Sequence, residues 1–165
     1  MSLPPSLTTR LPIAPKSPLA GAQPRDSMLG CPVHELRGKL RKAGLRPTRQ
    51  RVALGWLLFA KGARHLTAEN LYEEASTSRV AISLATVYNT LHQFTEAGLL
   101  REVAIDGSKT YFDTNINNHH HFLVEDSNTL MDIPGGALDV TNLPPVPEGM
   151  EIARVDVIVR LRKKS

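Results

Sequence analysis

The chain has 165 residues, a net charge of +4 and one cysteine, Cys31, so it suits one domain or two small ones and excludes an intramolecular disulfide or a four-cysteine zinc site. Its charge is divided: Met1 to Arg101 holds 14 basic and 6 acidic residues, whereas Glu102 to Asp156 holds 2 basic and 10 acidic ones, which predicts a polyanion-binding half and a cation-binding half. The longest apolar run, the nine residues Val52 to Ala60, is too short to cross a bilayer, and the lone thiol and the lack of a secretory signal predict a cytoplasmic protein.

Residues 1–32 hold seven of the twelve prolines and show no helical or strand period, which predicts a disordered arm. The arm ends at Cys31-Pro32. A thiolate followed by proline can serve as an axial haem ligand, although the pair by itself reads as an ordinary surface thiol.

A first helix is predicted from about Val33 to Ala43, stopping at Gly44. Thr48 caps a second that runs through Phe59, with Val52, Trp56 and Phe59 on one stripe. Nine Lys/Arg and no acid lie between Arg37 and Ala68, so this surface suits phosphates. Thr67 caps a third helix carrying Leu71, Tyr72 and Ala75. Ser83 caps a fourth, from Leu84 to Ala97, that stops at Gly98. Leu84, Val87, Leu91 and Phe94 form its buried stripe. Its other face shows Ala85, Thr86, Tyr88, Asn89, His92 and Gln93, small and polar side chains that can reach base edges in a major groove.

Leu99 to Ile105 and Ser108 to Asp113 read as strands joined by Asp106-Gly107, a strong hairpin signal. Helices, a recognition-type helix and a hairpin in that order predict a winged helix-turn-helix. The expected organisation is α+β. A winged-helix DNA-binding domain over 33–114 is followed by a small α/β dimerisation and sensing domain over 115–165.

In that second part, His119-His120-His121 is the least expected run in the chain. Imidazole is the commonest protein metal ligand. On a strand, His119 and His121 would share one face and His120 the other. Spacing alone leaves a polar loop as an equal alternative. His121 to Glu125 and Thr129 to Ile133 read as short strands, Ala137 to Asn142 as a weak helix, and Val155 to Leu161 as an alternating terminal strand suited to pairing with a second chain.

The stretches Gly44-Leu45-Arg46-Pro47-Thr48-Arg49-Gln50-Arg51, His65-Leu66-Thr67-Ala68-Glu69 and Ser83-Leu84-Ala85-Thr86-Val87-Tyr88-Asn89-Thr90-Leu91, with the histidine run, resemble the ferric uptake regulator (Fur) family of metal-responsive transcription factors. Within it they look most like the haem-sensing iron response regulator (Irr) branch. The resemblance covers about Val33 to the C-terminus. It implies a homodimer or higher oligomer on a double-stranded DNA operator, with contacts from Arg46, Thr48, Arg49, Arg51, Ser83, Ala85, Thr86, Tyr88 and Asn89. A regulatory site for Fe, Mn or Zn would map onto His65, Asp113, His119, His121 and Asp132. The branch adds haem, held by Cys31 and by His119, His120 and His121.

The chain also departs from the family. The first cysteine pair of its structural zinc would fall at Val124 and Ser127, and a second interdomain site using His120 and Asp139 needs a later histidine that the chain lacks. The function expected is a regulator of iron and haem metabolism, switched off or destabilised by haem. The alternative is a sensor of divalent metal or peroxide, without haem, in which the metal activates DNA binding. A small metalloenzyme is a remote third reading, because no motif such as His-Glu-x-x-His supplies a general base.

Overall fold

The structure is a computed structural model, and it describes residues 33–105 and 109–164. The predicted arm, Cys31-Pro32 and the Asp106-Gly107 turn lie outside the described residues. Four helices come first: α1 (Val33–Lys42), α2 (Arg49–Phe59), α3 (Ala68–Thr77) and α4 (Leu84–Glu96). A two-residue strand, β1 (His65–Leu66), precedes α3. After α4 come β2 (Arg101–Ala104), β3 (Thr110–Asp113), β4 (His121–Val124), β5 (Thr129–Asp132) and β6 (Ile158–Leu161).

Local chemistry sets the helix ends. The hydroxyls of Thr48, Thr67 and Ser83 accept the backbone N–H of Arg51, Asn70 and Thr86, each satisfying a donor that the first helical turn leaves open. Gly44 and Gly98 stop α1 and α4 with φ of +77° and +69°. There the next residues, Leu45 and Leu99, donate back to Leu40 and Phe94 at 2.8 Å. That closure needs a left-handed residue, which glycine adopts without strain.

The main core lies between the helices and the first sheet. Leu36, Leu40, Leu54, Leu58, Leu71, Val87, Leu91, Phe94 and Phe112 are buried there. The predicted α4 stripe is correct: Val87, Leu91 and Phe94 are fully buried. The predicted α2 stripe is corrected, because Trp56 is 37% exposed while Leu54 and Leu58 are fully buried. At 3.6 residues per turn, Trp56 lies about 200° from each of them. Tyr72 likewise faces outward on α3.

Two three-stranded sheets follow, with strand orders β1-β3-β2 and β5-β4-β6. β6 runs parallel to β4; the other pairs are antiparallel. The sheets share a small apolar cluster, with Val103 and Tyr111 from the first meeting Leu123 and Leu130 from the second. Two expectations fail here. Residues 137–142 form no helix, and the terminal strand is only four residues long. A six-residue segment after Gly135-Gly136, with Asp139 and Asn142 inside it, is too short to recover the cost of helix nucleation.

Candidate metal centre and recognition face

The centre is built from one row of residues in each sheet. In the first sheet His65, Asp113 and Arg101 are in register across β1, β3 and β2. In the second, Asp132 and His121 are paired across β5 and β4. Cross-strand partners project from the same face, so each sheet offers an imidazole and a carboxylate side by side. The two pairs meet where the sheets adjoin, and His119 joins them from the connecting segment.

Five ligand atoms, three imidazole Nε2 and two carboxylate oxygens, lie within 4.8 Å of one another. His65 Nε2 is 2.8 Å from Asp132 Oδ1 and 3.5 Å from Asp113 Oδ2. His119 Nε2 is 2.9 Å from Asp113 Oδ2 and 3.1 Å from Asp132 Oδ1. His121 Nε2 lies 3.5 Å and 3.8 Å from the same oxygens. Despite these separations, none of the five buried atoms has a hydrogen-bond partner. The same atoms form His–Asp ion pairs whenever an imidazole is protonated, so the cluster converges on one centre that can hold a proton or a cation.

Neighbouring groups hold this arrangement. The Asn115 backbone N–H donates to Asp113 Oδ1 at 2.7 Å, and its side-chain amide donates to Asp132 Oδ2 at 3.1 Å. His119 Nδ1 lies 2.7 Å from the Asn117 carbonyl. Donation there assigns the proton to Nδ1 and leaves Nε2 as a free lone pair. The backbone N–H of Val157 donates to His120 Nδ1, so His120 faces away from the centre.

Electrostatics agree with a cation-seeking site. Burial disfavours the imidazolium of His65, yet its contacts with Asp113 and Asp132 outweigh that and raise its pKa to about 9. Burial also opposes ionisation of Asp113, but His121, His65 and the Asn115 N–H hold it well below the usual carboxylate range. Asp132 is lowered too, by His65 and Asn115 against its burial. Two ionised carboxylates in a half-dry pocket need positive charge. Three imidazole nitrogens and two carboxylate oxygens, without thiolate, suit Fe(II), Mn(II) or Zn(II).

All five residues expected for the metal set meet at this centre. Asn115 and Arg101 were missed. Asn115 reaches Asp113 through a local bond two residues along the chain, which the Asp-x-Asn spacing permits, whereas Arg101 sits in a strand without a motif and only the pairing register brings it here. The side chains of His119 and His121 are 7% and 1% exposed, with Nε2 turned onto Asp113 and Asp132. A porphyrin on either nitrogen would need the space those carboxylates fill, so the expected haem role of the run finds no support. Cys31 lies outside the described residues.

The residues expected at DNA divide into two groups. Arg46, Arg49, Ala85 and Asn89 are exposed, while Thr86 is half-buried. Thr48 and Ser83 serve as helix caps. Arg51 forks onto Gln93 Oε1 at 3.0 and 2.8 Å and also donates to the Arg46 carbonyl, which fastens α2 to α4. The Tyr88 hydroxyl donates to Glu69 on α3.

This joining of a helical head to a small sheet through a His/Asp cluster belongs to a class of transcription regulators. The ferric uptake regulator family matches residues 42–159, and the chain belongs to that family; it is not an enzyme. It is 37% identical over 109 residues to the peroxide-responsive repressor PerR of Staphylococcus epidermidis, covering 64% of this chain and 72% of that one. The ferric uptake regulator of Pseudomonas aeruginosa, solved with manganese, superposes with a TM-score of 0.59 at 28% identity, covering 78% of this chain and 98% of that one. The Vibrio cholerae regulator gives 0.59 at 22% identity, with 78% and 99% covered, and shares the fold. The likeness shows the family, and these relatives do not by themselves show the haem-sensing branch expected from the sequence.

Proposed function

We propose that this protein is a metal-dependent transcriptional regulator in which a divalent cation held by His65, Asp113, His119, His121 and Asp132 enables operator binding. The observation that carries the reading is the convergence of five buried ligand atoms, four from two sheets and one from the segment between them. This is the alternative of the two regulator readings from sequence, preferred now over haem control. The likeness to a peroxide-responsive repressor and to a manganese-bound regulator supports it.

A bound divalent cation supplies the charge that two converging carboxylates lack and a bond between the sheets. The chain's own residues do the rest. His65 and Asp113 belong to a winged helix made of α1 to α4 and the sheet β1-β3-β2. His119, His121 and Asp132 belong to the second module. Holding these five together fixes the angle between the modules, and with it the direction in which α4 presents Ala85, Asn89 and Thr86 to a major groove. Arg46 and Arg49 contact the phosphates. Thr48, Ser83 and Arg51 shape the surface instead, by capping and by bracing α4. The exposed apolar residues Leu143, Val146, Met150 and Ile152 suit a second copy, and a dimer presents two recognition helices to two half-sites.

The test is operator binding by electrophoretic shift on DNA from upstream of the protein's own gene. We expect loss on chelation, recovery with Mn(II), and no recovery in Asp113→Ala or His121→Ala. Binding that ignores chelation but vanishes with stoichiometric haem would return the haem reading to first place.

A further inference from the structure

We propose that Arg101 is a positioning residue of the cation site, and that its pair with Asp156 ties that site to the C-terminal segment. The inference rests on the metal reading above and assigns a role to groups outside the ligand set. Arg101 is 4% exposed, an unusual depth for a guanidinium. It lies on β2 directly opposite Asp113, as the third member of the row His65–Asp113–Arg101. Yet it makes no ion pair with Asp113. Its Nη1 donates to the Asn117 carbonyl at 3.1 Å, and Nη1 and Nη2 both reach the His119 carbonyl at 3.2 Å. Nη2 also pairs with Asp156.

The Asn117 carbonyl is the same oxygen that lies 2.7 Å from His119 Nδ1, and Arg101 Nη1 itself lies 3.3 Å from that ring nitrogen; the shorter carbonyl contact favours the proton on Nδ1. Arg101 therefore grips both carbonyls that frame His119, and so aims its Nε2 at the centre. The planar fork suits this task, since it offers several donors in a fixed geometry. Asp156 neutralises the buried charge from the far side, and the next residue, Val157, contacts the histidine run twice. Its carbonyl accepts from His121 N at 3.0 Å, and its N–H donates to His120 Nδ1 at 3.3 Å. The chain from Asp156 to Val157 is thus held through the same histidine segment that supplies two ligands. Filling the centre and ordering this stretch become one event.

The full chain carries the test, with Mn(II) affinity measured by calorimetry and imidazole nitrogen couplings of bound Mn(II) by pulsed electron resonance. Wild type, His119→Ala, Arg101→Lys, Arg101→Gln and Asp156→Asn are compared. We expect Arg101→Gln and Asp156→Asn to weaken Mn(II) at least tenfold and to reduce the coupling from one imidazole, as His119→Ala does. Arg101→Lys recovers part of the affinity, because one ammonium can meet Asp156 or the carbonyls but not both. Asp156, being 35% exposed, can be replaced without emptying a core and keeps the test open if Arg101→Gln does not fold. If thermal stability falls while affinity and couplings stay at wild-type values, Arg101 is a structural brace only and the proposal is overturned. If wild type itself binds no Mn(II), the metal reading fails instead, and the two failures are distinct.

Discussion

At the scale of single residues, the cluster makes stability depend on pH in opposite ways with and without a cation. In the metal-free protein the His65 pKa rises from 6.5 to about 9. A raised pKa means that the protonated contact stabilises the fold fully below 6.5, and that this is lost as pH climbs through 9. The shift corresponds to roughly 3 kcal/mol. Asp113 and Asp132, with lowered pKa values, contribute above the ordinary carboxylate range and lose that contribution as pH falls through their depressed values. A bound cation displaces the His65 proton. Chelated protein is therefore expected to lose melting temperature between pH 6.5 and 9, and Mn(II)-loaded protein to hold or gain it. Parallel curves for both forms would show that His65 does not share its proton site with the cation.

Elements obey nearer rules, and here the sequence was most legible. Thr48, Thr67 and Ser83 announced three helix starts, and Gly44 and Gly98 two helix ends, because capping acts within four residues. Ser83→Ala is expected to lower stability by about 1 kcal/mol in urea denaturation, and to weaken operator binding by loosening the first turn of α4. An unchanged midpoint would mean that the Ser83 cap contributes nothing. A second prediction belongs to α3, whose Glu74 pairs with Arg64 and with Lys61. The Arg64 contact, against some burial, holds Glu74 below its usual value. Glu74 stabilises the fold above the ordinary glutamate range and loses that effect as pH falls through its depressed pKa. Glu74→Gln should cost about 1 kcal/mol at pH 7, and the difference from wild type should vanish in acid; a constant difference would contradict the ion pair. β1 was not legible. Two residues have no period, and His65 became a strand residue only by pairing with Asp113.

For the whole molecule, the two sheets are joined by a four-residue apolar cluster and by the ligand set. Burying a side chain of that size contributes about 1.5–3 kcal/mol, so the apolar joint is modest, and a cation at the proposed site would add to it substantially. At a free concentration one hundred times Kd, binding stabilises the folded state by about 2.7 kcal/mol. Hydrogen exchange should therefore slow on Mn(II) addition across 114–123 and 155–159, while the helical core around Leu54, Leu91 and Phe94 changes little. Uniform protection of the whole chain would argue against a local joint between the sheets.

The sequence by itself determined the four helices, their caps, five of the six strands and the types of residue that can hold a cation, because each is set by chemistry within a few residues. The family resemblance further pointed to the five residues of the proposed cation site, which the structure gathers into one cluster. Only the tertiary structure decided which way α2 turns Trp56 and that Arg101 shares a cross-strand row with His65 and Asp113. It also brought the Asn115 amide onto Asp132 and the Arg101 guanidinium onto the Asn117 and His119 carbonyls. Those outcomes depend on how α2 packs against the other helices, on strand register and on the meeting of two sheets, which bring residues tens of positions apart into contact. No local pattern encodes such a contact.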